Sequence, residues 1–268
     1  MKSIAWLTDI HLNFLRPPGT GVFLDMLART EADAFAISGD IAEAPGVAGH
    51  LRDIAARVDR PVHFVLGNHD FYRGSIAGVR GKVRALCAVT PNLHWLPEAG
   101  VVPFTDETCL VGHDGWGDGR LGNYHGTDVL LNDFDLIREF GGFYEDPEVR
   151  LAKLHALGDE AAAHFRSVLP DALARFRHVV VVTHVPPFRE SCWHEGGLSD
   201  ENWLPFFSCQ AVGSALLEAM SAWPDREMTV LCGHTHGSGE AQILPNLRVL
   251  TGGALYGHPV IQDVLGLP

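Results

Sequence analysis

The sequence predicts a single α/β domain, and two patterns predict it. Short apolar runs bounded by Gly, Pro or Asp recur from residue 4 to residue 232. Several are separated by stretches whose apolar residues fall at helical spacing. Strand then helix, repeated, is the pattern of sheets covered by helices. The 268 residues allow one large domain or two small ones, and with no repeat, low-complexity tract or charged tail, residues 1–268 read as one folded domain.

The first run, residues 4–8, is followed by runs at 34–38, 62–66, 109–112, 179–183 and 228–232. All are short and most are rich in β-branched or aromatic residues, which fits buried strands. After Pro45, the residues Val47, Leu51, Ile54 and Val58 make one helical face, and Ile76, Val79, Val83 and Leu86 repeat it after Ser75. Asp146 before Pro147 is a cap followed by a first-turn proline; it opens a longer helix with Leu151, Leu154, Phe165 and Leu169 toward a core. Another helix runs from Gln210 to about Trp223. Residues 113–145 and 185–209 have no period. They are rich in Gly, Pro and aromatics, including Trp116, Tyr124, Phe134, Phe143, Phe188, Trp193, Trp203, Phe206 and Phe207. Irregular segments this long in a compact domain are usually functional, so substrate contacts are expected there.

Composition narrows the function. Apolar residues make up 46% and charged residues 20%, a soluble globular balance. A net charge of -13 disfavours non-specific binding to nucleic acid. The five cysteines form no C-x-x-C pair, which argues against a disulfide framework and a cysteine-bound zinc. The residues before Asp9 are too short for a secretory signal, and no run approaches the ~18 apolar residues of a membrane span, so a cytoplasmic protein without a membrane partner is expected. Fifteen histidines turn attention to metal chemistry.

In open α/β sheets ligands bind beyond the carboxyl ends of strands. Five of the runs end in donor groups: Asp9-Ile10-His11, Gly39-Asp40, Gly67-Asn68-His69-Asp70, His184, and Gly233-His234-Thr235-His236. If the chain stays extended there, Asp9 with His11, and His234 with His236, each offer two donors to one place. Mixed carboxylate, amide and imidazole donors suit first-row metals, and the number of groups favours two ions sharing a carboxylate over one.

This order of blocks resembles the calcineurin-like metallophosphoesterase superfamily, from residue 8 to residue 236. The resemblance implies two mixed β-sheets packed as a sandwich and flanked by α-helices. It also implies a pair of transition-metal ions, with Mn, Fe or Zn foremost. One ion would be held by Asp9, His11, Asp40 and His236, the other by Asp40, Asn68, His184 and His234, so that Asp40 bridges. The implied reaction is phosphoester hydrolysis by a metal-bridging hydroxide. His69 would serve as acid or hydrogen-bond donor to the leaving group, and Asp70 would either hold that imidazole protonated or cap the local turn.

Around this centre, His113, Arg120, His125, Arg189 and His194 are candidate substrate contacts, the arginines because guanidinium forks bind phosphate bidentately. The protein serine/threonine phosphatase branch carries Gly-Asp-x-His-Gly, Gly-Asp-x-x-Asp-Arg-Gly and Gly-Asn-His-Glu. This chain has Asp9-Ile10-His11-Leu12, Gly39-Asp40-Ile41-Ala42-Glu43-Ala44, and Asp70 in place of that Glu. It looks more like the bacterial branch of phosphodiesterases and small-molecule phosphatases. A phosphodiesterase on a nucleotide-like or other small diester is therefore expected, with a small-metabolite phosphomonoesterase as the alternative and an inactive binding module of the same fold as a third reading. The oligomeric state is not legible.

Overall fold

A computed structural model describes residues 1–141 and 146–268; Phe143, one of the aromatic residues of the first irregular segment, lies outside them. One sheet contains β1 (Lys2–Leu7), β2 (Ala34–Ser38), β3 (Val62–Val65) and β4 (Leu93–Trp95), all parallel, with β13 (Asp263–Leu267) antiparallel on the outer side of β1. The other contains β5 (Val102–Pro103), β6 (Thr108–His113), β7 (His178–Thr183), β10 (Glu227–Cys232), β11 (Gly239–Leu244) and β12 (Leu247–Thr251), in the order β11-β12-β10-β7-β6-β5. Its four inner strands are parallel and its two edges antiparallel. A small hairpin pairs β8 (Trp193–His194) with β9 (Gly197–Leu198).

The inner strands have no hydrophobic alternation because both of their faces are covered. Ile4, Trp6, Ala34, Ala36 and Val65 of the first sheet pack against Leu110, Val180, Val182 and Leu231 of the second. The alternate residues Leu7, Phe35, Ile37 and Phe64 pack outward under α1 (Pro17–Arg29), α2 (Val47–Val58) and α3 (Ile76–Cys87). On the far side Val111, Val179, Val181 and Val230 pack with Phe165 and Leu169 of the long helix and with Leu216 and Met220 of the last one. The sandwich of two mixed sheets flanked by helices is the expected fold.

The remaining helices are α4 (Leu96–Ala99), α5 (Asp133–Leu136), α6 (Pro147–Arg175), α7 (Leu204–Phe207) and α8 (Gln210–Ala222). Asp146 caps α6 by accepting from the amides of Glu148 and Val149, and the Ser75 hydroxyl accepts from Gly78 N at the start of α3. Sequence reading missed α1, whose two glycines interrupt the pattern although Phe23 and Leu27, one turn apart, are buried. It also missed β11 and β13, which run along sheet edges and bury little. No helix among the described residues is long and apolar enough to cross a membrane.

Candidate metal centre

The donors sit in the loops that leave β1, β2, β3, β7 and β10 at their carboxyl ends. Backbone bonds stitch these loops together. Asp9 N donates to Gly39 O at 3.0 Å, His11 N to Asp40 O at 3.0 Å, and Gly233 N to His184 O at 2.9 Å. The loops are not extended as expected from residue spacing. Asp9, His11, Asp40, His234 and His236 all have positive φ, between 40° and 71°. Left-handed backbone at a non-glycine residue costs about 1–3 kcal/mol, and such strain concentrates at functional sites. The turns send His234 and His236 to different donor groups, which an extended segment would not do. Gly39 has both reasons to be glycine: its φ is 95°, and a Cβ there would lie 2.5 Å from His184 Nδ1.

Asp9, His11, Asp40 and His236 form the first group, each offering one ligand atom within 4.8 Å of the others. His11 Nε2 and His236 Nε2 face each other at 3.2 Å, His236 Nε2 is 3.4 Å from Asp9 Oδ1, and His11 Nε2 is 3.8 Å from Asp40 Oδ2. Burial would raise the Asp9 carboxyl, yet the bond from His236 and the charge of His184 bring it down to about 2. Burial pulls His11 down to about 4. Burial opposes charging His236, but the bond and charge of Asp9 raise it, so a shared proton holds these donors together where a cation would fit.

The second group is Asn68, His184, His234 and the other oxygen of Asp40. His184 Nε2 is 3.1 Å from Asn68 Oδ1 and 3.4 Å from Asp40 Oδ1, while its Nδ1 faces Ser38 O at 2.8 Å. His234 Nδ1 is 3.1 Å from Asn68 Oδ1 and its Nε2 is 3.0 Å from Phe206 O. Burial and the neighbouring His184 charge pull His234 down to about 3, so its ring carries one proton for two acceptor oxygens. Either tautomer leaves two lone pairs in short contact, a conflict that a cation between them removes. Burial opposes charging His184, but Asp40 and Asp9 hold it up to about 10, so that a proton stands in for positive charge at this spot.

Asp40 lies between the two groups with Oδ2 toward His11 and Oδ1 toward His184, the disposition a bridging ligand needs. His69 lines the cleft above it with Nε2 3.9 Å from Asp40 Oδ2 and, among the described residues, no hydrogen-bond partner for Nδ1. Asp70 does not hold that imidazole. Its Oδ1 accepts from Ile41 N and Ala42 N, and its Oδ2 from Gly67 N, so it straps the β2 loop to the β3 loop rather than capping the turn that opens at Phe71.

Of the five expected substrate contacts, His194 alone reaches the cleft, a space of about 290 Å³ over the donors. His194 Nδ1 is 3.0 Å from Thr235 O and its ring packs on Trp203 and Phe207. His113 instead faces Glu160 at 3.7 Å and the ring of His164. Arg120 is tied to Asp118 and Asp159, and Arg189 to Glu201. His125 is exposed beside Glu148. In a chain this acidic, arginines find carboxylates of their own, which is why residue chemistry alone misled.

Sequence reading missed three residues. Tyr256 covers the rim, its ring 4.6 Å from that of His11 and 5.0 Å from that of His236. It stands in a coil with no motif to mark it. Tyr72 and Asp133 lie beside Asn68, and Asp133 was passed over inside a segment assigned to substrate.

A family profile described as calcineurin-like phosphoesterase matches residues 2–238. Curated proteins yield no match. Among solved structures, the phosphopantetheinyl hydrolase of Mycobacterium tuberculosis superposes with a TM-score of 0.68 at 15% identity, covering 97% of this chain and 96% of that one. A dimetal phosphatase from Danio rerio gives a TM-score of 0.56 at 14% identity, covering 94% and 87%. At such identities the likeness is one of fold.

Proposed function

This chain belongs to the calcineurin-like phosphoesterase family and is a metal-dependent phosphoesterase, and from that premise we propose that it hydrolyses a small phosphodiester at a dinuclear centre held by Asp9, His11, Asp40, Asn68, His184, His234 and His236. One observation carries the choice of diester. No lysine or arginine lines the cleft among the described residues; its walls are Tyr72, Leu130, Leu131, Trp203, Phe207 and Tyr256. A monoester dianion would find no side-chain cation there, whereas a diester carries one charge and two organic groups that these walls can cover.

When bound, the two cations would supply Lewis acidity to the phosphate oxygens and a water acidified toward neutrality. The chain's own residues do the rest. Asp40 and the imidazoles fix the donor geometry within loops locked by backbone bonds. His69, whose Nδ1 has no hydrogen-bond partner among the described residues, would give a proton or a hydrogen bond to the departing oxygen. The aromatic rim limits water around the reacting group. The ligand set is complete, which speaks against an inactive binding module.

The test compares kcat/KM on bis-p-nitrophenyl phosphate and p-nitrophenyl phosphate with manganese present. A preference of about tenfold or more for the diester supports the reading, since tenfold is about 1.4 kcal/mol of transition-state discrimination. A reversed preference makes the protein a phosphomonoesterase. Phosphopantetheinyl diesters belong in the panel because the neighbour from M. tuberculosis is named for that group.

A further inference from the structure

Asn68 has a carboxamide with two unlike ends, and the second donor group works only if the oxygen is the end that faces it. The amide nitrogen is spoken for. Asn68 Nδ2 donates to Asp133 Oδ1 at 2.7 Å and to the Tyr72 hydroxyl at 3.1 Å, and that hydroxyl donates in turn to Asp133 Oδ1 at 2.7 Å. Asp133 is buried, and its Oδ1 already accepts from both the Asn68 amide and the Tyr72 hydroxyl. A flipped Asn68 would put oxygen against carboxylate oxygen and turn its NH2 toward His184 and His234, where a cation would be repelled.

We propose that Asp133 is the positioning residue that fixes the Asn68 amide with its oxygen toward the second metal site, a statement that rests on reading Asn68 as a ligand. Asp133 opens α5, inside the irregular segment 113–145, and touches neither donor histidine by hydrogen bond among the described residues. Neighbouring Leu130, Leu131 and Asn132 line the cleft. One short segment therefore supports the metal site from below and forms part of the substrate wall above it. Partners behind a metal ligand typically govern affinity by about 10–100-fold.

The experiment titrates manganese alone into metal-free wild type, Asp133→Ala, Asp133→Asn, Asn68→Ala and the Asp133→Ala/Asn68→Ala double variant, and records the metal-free unfolding midpoint of each. Asp133→Ala is expected to weaken one of the two ions about 10–100-fold and leave the other unchanged. Asp133→Asn keeps an acceptor of the same shape and should lose less. The decisive comparison is the cycle: with Asn68 already replaced, removing Asp133 should cost no further affinity. Wild-type affinities in a folded Asp133→Ala protein, or a loss in Asp133→Asn as large as in Asp133→Ala, would overturn the proposal. So would an Asp133→Ala loss that persists undiminished without Asn68, because Asp133 would then act by another route. If Asn68→Ala itself bound two ions as tightly as wild type, the ligand reading beneath the proposal would fall first.

Discussion

Replacing Gly67 by alanine should disable the metal centre through a clash with Asp40 and His184 rather than through strain in its own torsion angles. Its φ is not in the left-handed region, so an alanine there is sterically acceptable to its own residue. The conflict is with the site. A Cβ would lie 2.2 Å from Asp40 Oδ1, 2.6 Å from Asp40 N and 2.7 Å from His184 Cε1. Ordinary contact begins at 3.4 Å, so the oxygen must retreat by the difference between 3.4 and 2.2 Å, about 1.2 Å. Ligand distances tolerate only about 0.2 Å. Because Asp40 reaches toward both donor groups, both ions should bind at least about 100-fold more weakly, with a packing cost of about 1–3 kcal/mol. Calorimetric titration with manganese and melting in chelator read the two effects separately. Gly49→Ala and Gly81→Ala are the controls, since a Cβ at either meets nothing within 4 Å and a helix interior gains about 1 kcal/mol from alanine. Wild-type manganese affinity in Gly67→Ala would refute the reasoning, because Asp40 would then not be held where the metals need it.

Four further outcomes follow from the same geometry. His69→Ala should lower kcat by about 10²–10⁴ while two equivalents of metal still bind, read by steady-state kinetics beside elemental analysis; lost metal would make His69 a ligand instead. Tyr256→Ala should raise KM for an aromatic diester by about tenfold with kcat little changed, as expected of a wall residue. Chelation should abolish hydrolysis and lower the melting midpoint by a few degrees or more, since saturation at about 100-fold over Kd stabilises by about 2.7 kcal/mol. Burial and the adjacent His94 ring pull His63 down to about 3 from 6.5. A neutral ring is thus favoured by folding, and its contribution is whole above pH 6.5 and lost as pH falls toward 3. Between pH 6.5 and 5 wild type should lose up to about 2 kcal/mol more than His63→Leu in urea melts; parallel curves would show no linkage.

The seven proposed metal donors stand out in the sequence because each follows a buried strand, so strand pattern and side-chain chemistry fall together in a few residues. The fold was legible for the same reason where strands were buried on both faces, as in β2 and β7. Edge strands escaped, since β13 buries only Leu267. Asp133 and Tyr256 reach the site from segments without period, and only tertiary packing brings them to Asn68 and His11. His113-Asp114 misled in the opposite way: it follows a strand, yet Asp114 accepts from Leu66 N, Trp95 Nε1 and Arg80 Nε and braces the β3 end from behind.

The central claim is that two cations sit side by side with Asp40 between them. Anomalous scattering from crystals grown with manganese tests it directly. Two peaks about 3.5–4 Å apart are predicted, with one Asp40 oxygen or both within bonding distance of each. A single peak, or two that do not share Asp40, would contradict the account.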